Sequence, residues 1–265
     1  MLPVVYLNLD RDVQRRQAME TMLRRHGLSF ERLPAVVWAD LDEPSRTRLY
    51  DPALNRRQFD RPLAHGEKGC YASHLKACEH LLACDAAAMV VLEDDVELTE
   101  AFADVVAAIE SLPPQGWDLI KFHSRPRERP ARAVPLTASH SLVAYRRVPS
   151  MNHGYALSRA GAAKLLQHRR PFGRPVDVDV RYWWEVGLRV LGVVPSIVRE
   201  GATASASSIW RDVRRPHRSW GDRWRRLRLQ VAYTWCNAWY AARVDPLQEV
   251  MVAAGATKPA RDPRQ

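Results

Sequence analysis

The sequence predicts an α/β layered fold on a mixed, largely parallel sheet, and three observations predict it. Short β-branched apolar runs alternate with segments whose apolar residues recur at i, i+3 and i+4, the pattern of βαβ units. With 265 residues and a hydrophobic fraction of 46%, the chain can bury a sizeable core as one large domain or two fused halves. Two apolar runs end in polar clusters, NLDR at Asn8 to Arg11 and EDD at Glu93 to Asp95. In parallel sheets, ligands collect at the carboxyl ends of the strands.

The elements follow in order. Val4 to Leu9 is β-branched and aromatic, the first strand. A helix follows with Ala18, Met19, Met22 and Leu23 on its buried face, ended by Gly27, and Leu28 to Val36 makes a second strand. Asp40 to Pro62, rich in Asp, Arg and Pro, reads as an irregular connection. Glu67 to Ala83 is helical, with Tyr71, Leu75, Cys78, Leu81 and Leu82 near one face, and Met89 to Leu92 is a short buried strand. Thr99 is the expected N-cap of an amphipathic helix carrying Phe102, Val105, Val106 and Ile109, which Pro113 and Pro114 end. Asp118 to Phe122 is another strand. After a basic loop, Arg125 to Ala133, come strands at Leu142 to Val148 and Gly154 to Leu157, then a helix over Arg159 to His168 capped by Ser158.

The formal net charge of +10 permits nucleic acid, an anionic membrane surface or a phosphorylated substrate as partner. No segment approaches the roughly 18 unbroken apolar residues of a membrane-spanning helix. The opening MLPVVYLNLDR lacks the flank and apolar length of a signal peptide, so a cytoplasmic protein is expected. The four cysteines have neither zinc-site pairing nor the density of a disulfide framework, and read as reduced, mostly packed thiols. No RNA-binding signature or zinc finger supports nucleic acid as a partner.

The triplet Glu93, Asp94 and Asp95 needs a compensating cation or a raised pKa, because adjacent carboxylates repel. Hard carboxylate oxygens suit Mg²⁺ or Mn²⁺. On an extended segment Glu93 and Asp95 point one way and Asp94 the other, so the expected ligands are Asp95 with either Asp94 or Glu93. The competing reading is an acidic lead-in to the next helix, with Glu97 and Glu100 near its N-terminus; the preceding apolar run favours the metal.

With this triplet, five motifs in order resemble the bacterial members of glycosyltransferase family 25, the lipopolysaccharide biosynthesis galactosyltransferases related to the collagen galactosyltransferase domain. They are VVYLNLDRDVQRR at the start, GEKGCYASHLKAC at Gly66 to Cys78, VVLEDDVEL, GYALSRAGAAKLL at Gly154 to Leu166, and PVDVD at Pro175 to Asp179. The resemblance implies a GT-A type fold, a UDP-sugar donor, usually UDP-galactose, and a glycan or glycolipid acceptor, with inversion at the anomeric carbon. It implies that the triplet holds Mn²⁺ or Mg²⁺ against the donor diphosphate. Inversion needs a carboxylate base on the far side of the sugar; Asp177 and Asp179 are the candidates, Asp177 ahead as the match to the family's P-x-D.

For the donor, the expectation is Asn8 and Asp10 at base or ribose and Arg11 or Arg15 at phosphate, with a helix cap as the plain alternative for Asp10. Glu67 is a donor-site candidate or only a favourable dipole partner, while Ser73, His74 and Lys76 can line the pocket. Gly154 can admit a ligand close to backbone, Asn152 and His153 can face the sugar, and Ser207 in SASSIW can touch donor or acceptor. The catalytic domain is expected over 1–209 and a basic, Trp-rich helical extension over 210–265. In that extension, Arg and Trp residues interleave through 210–229, which suits either an anionic membrane surface on the inner face of the cytoplasmic membrane or a solvated helix packing its tryptophans on the domain. The competing functions are a non-catalytic membrane- or nucleic-acid-binding module on a transferase-like fold, and a metal-dependent phosphohydrolase, which would need a second ligand cluster.

Overall fold

The computed structural model describes residues 1–123, 130–201 and 220–254. Strand β1 (Val4–Asn8) is followed by helix α1 (Val13–Arg25) and β2 (Phe30–Pro34), which pairs parallel with β1. Gly27 adopts φ +66°, a left-handed conformation open to glycine, and lets the chain turn sharply out of α1. Met19 and Leu23 are the residues of α1 that reach the core; Ala18 is exposed and Met22 only half-buried.

The stretch expected to be irregular holds two short helices, α2 (Glu43–Leu49) and α3 (Pro52–Gln58). Each starts on an aspartate cap followed closely by proline. Asp42 accepts from the Ser45 N–H at 2.9 Å, and Asp51 accepts from the Ala53 N–H at 2.7 Å. Capped aspartate with proline in the first turn is a helix start, so the misreading came from treating Asp and Pro as loop residues.

Helix α4 (His65–Ala83) leads to β3 (Ala88–Glu93), which pairs parallel with β1. A short strand β4 (Val96–Leu98) and α5 (Phe102–Glu110) follow. Thr99 does not cap α5: the helix begins three residues later, and the Thr99 hydroxyl is without a hydrogen bond among the described residues. Then come β5 (Leu119–Lys121), β6 (Pro130–Pro135), β7 (Ser141–Tyr145), β8 (Gly154–Ser158), α6 (Arg159–His168), α7 (Val176–Asp179), β9 (Val190–Val194) and β10 (Val198–Glu200). The edge strand β6 takes in residues 130–133, which were expected in the basic loop; its terminal prolines suit an edge, where a missing N–H costs no ladder bond. Ser158 caps α6 as expected, accepting from the Gly161 N–H at 3.1 Å.

The sheet order is β2-β1-β3-β8-β5-β9-β7-β6. From the pairings, β8 and β7 run against the other six strands, so the sheet is mixed and mostly parallel in direction. Both faces are covered, which is why β1 and β3 are apolar up to their last residues, Asn8 and Glu93. Val4, Tyr6, Val90 and Leu92 join the core on one face, and Val5, Leu7, Met89 and Val91 the other. A third cluster, around Trp38, Tyr50, Tyr71 and Phe172, fixes the 38–63 region against α4.

Helices α8 (Trp220–Ala241) and α9 (Pro246–Ala253) complete the described chain. Leu247 and Val250 of α9 are buried in the main core cluster, so the boundary drawn between 1–209 and 210–265 does not divide the packing. No helix among the described residues is long and apolar enough to cross a membrane.

Candidate active site

Strands β1 and β3 lie side by side and parallel, so their carboxyl ends open on the same edge of the sheet. There they meet the first turns of α4 and α1 around a cavity of about 260 Å³. Its wall combines residues 36–39 with Asn8, Arg11, Arg15, Cys70, Ser73, His74 and the acidic triplet. Helix α4 sits tightly against this wall: a Cβ on Gly69 would come within 2.6 Å of the Val36 carbonyl oxygen, so only glycine allows the approach.

The triplet is not extended throughout, so strand alternation does not govern it. Glu93 ends β3, and Asp94 and Asp95 form the turn into β4. Asp94 faces α1, accepting from Asn8 Nδ2 at 2.6 Å and Arg15 Nη1 at 3.2 Å. One oxygen each of Glu93 and Asp95 and a ring nitrogen of His153 lie within 4.8 Å of one another, while Asp95 also approaches the same Arg15 nitrogen, at 3.6 Å. Asp94 is therefore a structural anchor rather than a member of the cluster. His153 reaches it through sheet register: β3 and β8 are antiparallel with Leu92 opposite Gly154, and the Glu93 N–H donates to the His153 carbonyl at 2.8 Å.

Electrostatics set the two clustered carboxyls apart. Burial acts to raise the Glu93 pKa, but a hydrogen bond from His74 and the nearby His153 and Lys121 bring it below the usual range. Asp95 is pushed up to about 6, by burial first and then by the Glu93 charge. Asp94 is also raised, chiefly by burial, against the pull of Asn8 and Arg15. Without a cation, Glu93 ionises first and Asp95 loses its proton only near pH 6.

A divalent cation fits this donor set. Asp95 Oδ1 and His153 Nδ1 are both buried without a hydrogen-bond partner among the described residues, and an orphaned acceptor pair beside a carboxylate is the arrangement a metal satisfies. A second grouping, Cys70, His74 and Glu93, is less suited. Burial first, then Glu93, Asp177, Asp95 and Glu67, raise the Cys70 thiol far above its ordinary value and keep it protonated.

The other expected residues separate into those at the cavity and those elsewhere. Arg15 lines it and lies 3.6 Å from Asp95, and Arg11 stands exposed at its rim. Asn8 lines it but spends its amide on Asp94 and the Asp12 carbonyl and its oxygen on Arg32. The Ser73 hydroxyl bridges the Gly69 carbonyl and the Val36 N–H, and His74 is held between Tyr155 and Glu93. Asp10, Glu67 and Lys76 do not line it. Asp10 is on the surface with Arg32; Glu67 takes a two-pronged bond from Arg61 and the Ala64 N–H; Lys76 donates to the Pro34 carbonyl. Asn152 is buried near Lys121, 3.5 Å from its Nζ. Gly154 serves packing, because a Cβ there would press on Leu92 and Val198 side chains rather than face a ligand. Ser207 lies outside the described residues.

The two PVDVD carboxylates differ sharply. Asp179 is buried, accepting from Tyr71 at 2.5 Å and Arg174 at 2.9 Å with Arg169 also at 2.9 Å, so its lone pairs are committed to structure. Asp177 is half-buried and has no hydrogen bond or ion pair among the described residues, yet it lies near enough to Cys70 and Arg61 to raise both their pKa values. Sequence reasoning missed Tyr155, which orients His74 and sits in the GYALS motif, and Cys70 and Trp38 in the wall. An inward tyrosine on a strand flanking the triplet was the available signal for the first.

A crevice at parallel strand ends, lined by carboxylates and arginines, is where α/β proteins bind their ligands. The sequence pattern of Glycosyltransferase family 25, described as an LPS biosynthesis protein family, matches residues 1–180, and the chain belongs to that family. It is 30% identical to a Glycosyltransferase 25 family member of Aedes aegypti over 184 residues, 66% of this chain and 29% of that protein. To Procollagen galactosyltransferase 2 of Homo sapiens it is 28% identical, over 66% of this chain and 29% of that one. A Probable inactive glycosyltransferase 25 family member 3 of Rattus norvegicus is 31% identical, over 66% and 31%. The chain thus spans about three tenths of the length of these curated relatives. A solved glycosyltransferase involved in the glycosylation of the major capsid of PBCV-1 matches at a TM-score of 0.30 and 10% identity, over 69% of this chain and 65% of that one, too loose a likeness to carry structural detail.

Proposed function

We propose that the chain is a metal-dependent, inverting hexosyltransferase that moves galactose from UDP-galactose onto a lipopolysaccharide-core or other glycan acceptor. The reading is carried by the convergence of Glu93, Asp95 and His153, with Asp95 Oδ1 and His153 Nδ1 buried and unpartnered. Two carboxylates and one imidazole favour Mn²⁺ over the harder Mg²⁺. A cation held there would act as Lewis acid on the departing diphosphate. Arg15 and Arg11 supply charge-assisted bonds to phosphate, and residues 36–39, including Trp38, offer an apolar wall to the base. Asp177 takes the proton from the acceptor hydroxyl as its oxygen attacks the anomeric carbon and UDP leaves. Galactose as the sugar is supported by the name of the human relative, a procollagen galactosyltransferase.

The test is UDP release from a panel of UDP-sugars with manganese and crude core glycolipid. Release with UDP-galactose, lost on chelation and in Asp95→Ala, is expected. No turnover of any donor would overturn the reading in favour of a non-catalytic module, the alternative that the description of the rat relative brings forward.

An anionic membrane surface on the inner face of the cytoplasmic membrane is proposed as the place of action. On α8, Trp220, Trp224, Leu227, Val231, Trp235 and Trp239 are all exposed, and at helical spacing they fall within an arc of about 120°. Arg223 and Arg225 flank that stripe and Arg228 lies within it, a pattern suited to anionic headgroups. The remainder of the basic stretch, 210–219, lies outside the described residues.

A further inference from the structure

A second cavity, of about 430 Å³, lies between α3, the residues following α7, and α8. Arg147, Arg181 and Arg226 line it together with Tyr182, Tyr233 and Val178, and no carboxylate is among its lining residues. The contrast with its neighbourhood is instructive. Arg169 and Arg174, close by, are balanced by Asp179 and Glu185 at 2.8–2.9 Å. None of the three cavity arginines forms an ion pair among the described residues.

Arg181 Nε and the Tyr233 hydroxyl are buried and complete no hydrogen bond of good geometry among the described residues. They face each other, with the Arg181 guanidinium 4.7 Å from the Tyr233 ring centre, and while burial raises the Tyr233 pKa, Arg181 acts against that rise. Arg147 leans on the same ring at 5.6 Å and is steadied by Thr234 at 2.9 Å. Like charges gathered without a counterion among the described residues repel, and a buried donor without a well-placed acceptor carries a desolvation cost. Both penalties disappear when a compact anion with several acceptor oxygens enters.

We propose that this cavity binds a phosphate monoester carried by the acceptor substrate. Its place supports that assignment: Val178 in its wall is the residue after Asp177, and Asp177 acts electrostatically on Cys70 of the donor cavity. Asp177 lines neither cavity but is adjacent in sequence to the wall of one and acts on the wall of the other. That the phosphate belongs to the acceptor rests on the transferase reading; that the cavity takes phosphate does not.

Calorimetry on the full chain separates the two statements, using inorganic phosphate, a phosphorylated hexose and the same hexose unphosphorylated, each with and without saturating UDP and manganese. Phosphate and the phosphorylated hexose should bind, the neutral hexose should not, and UDP should not displace them. Arg226→Gln, at an exposed position, and Arg147→Gln should each weaken binding at least fivefold and leave UDP binding unchanged. Unaltered phosphate affinity in both variants, or displacement by UDP, would overturn the cavity assignment. Binding of inorganic phosphate but not of the phosphorylated hexose would overturn the acceptor assignment, whether or not the protein transfers sugar.

Discussion

Replacing Asp95 by Asn should make the metal-free protein more stable. Burial and the adjacent Glu93 charge raise the Asp95 pKa from 3.8 to about 6. A carboxyl whose folded pKa exceeds its unfolded value opposes folding wherever it is ionised. The penalty is fully present above the folded pKa, fades as pH falls from about 6 toward about 4, and is gone below the unfolded value. A difference of about 2 units at about 1.4 kcal/mol each sets an upper size of about 3 kcal/mol at pH 7.5. Because Asp95 is tightly coupled to Glu93, a gain on the order of 2 kcal/mol is expected. Asn removes the charge at nearly constant shape. Urea melts of both proteins in EDTA, from pH 7.5 to pH 4.5, measure it: the variant should be more stable at pH 7.5, and the gap should narrow steadily on acidification. Manganese should then reverse the order, raising the midpoint of the parent and not of the variant. Equal stabilities in EDTA across that range, or a less stable variant at pH 7.5, would refute the account of Asp95 as a charge held in readiness for a cation.

Other substitutions separate chemistry from architecture. Asp177→Asn should lower kcat by about 10²- to 10⁴-fold while UDP and manganese still bind, the loss expected of a general base; a near-normal kcat would remove Asp177 from the mechanism. Asp179→Asn leaves Arg169 and Arg174 undercompensated and should cost about 3 kcal/mol or more in a denaturant melt, with donor affinity per folded molecule retained. Gly161→Ala places a methyl against the Asp118 backbone, so thermal unfolding should drop by several degrees. Replacing Trp224 and Trp235 together with Ala should abolish co-flotation with anionic vesicles without changing the melt, because both side chains are exposed; unchanged flotation would exclude the α8 stripe.

Legibility in the sequence tracked how local each cause is. The α6 helix was readable to the residue, because Ser158 caps it and its apolar spacing is regular. The small sheet of β4 and β10 was not: three-residue strands carry no periodicity, and Val96 to Leu98 becomes a strand only because Val198 to Glu200 arrives beside it. Lys76 shows the same limit on the functional side. It falls in a motif with Ser73 and His74, but at helical spacing it turns to the outer side of α4 and meets Pro34 instead of the cavity.

By itself, then, the sequence determined that the chain alternates strands with helices and that acidic and basic clusters terminate β1 and β3. These follow from periodicity and backbone geometry within a few residues. Tertiary structure decided that His153 joins Glu93 and Asp95, that Asp179 is spent on Arg169 and Arg174 while Asp177 is left unbonded, and that three arginines distant in sequence share one cavity. The reason is physical. Such meetings depend on inter-strand register and on which buried charges find partners, and both are properties of the packed chain as a whole.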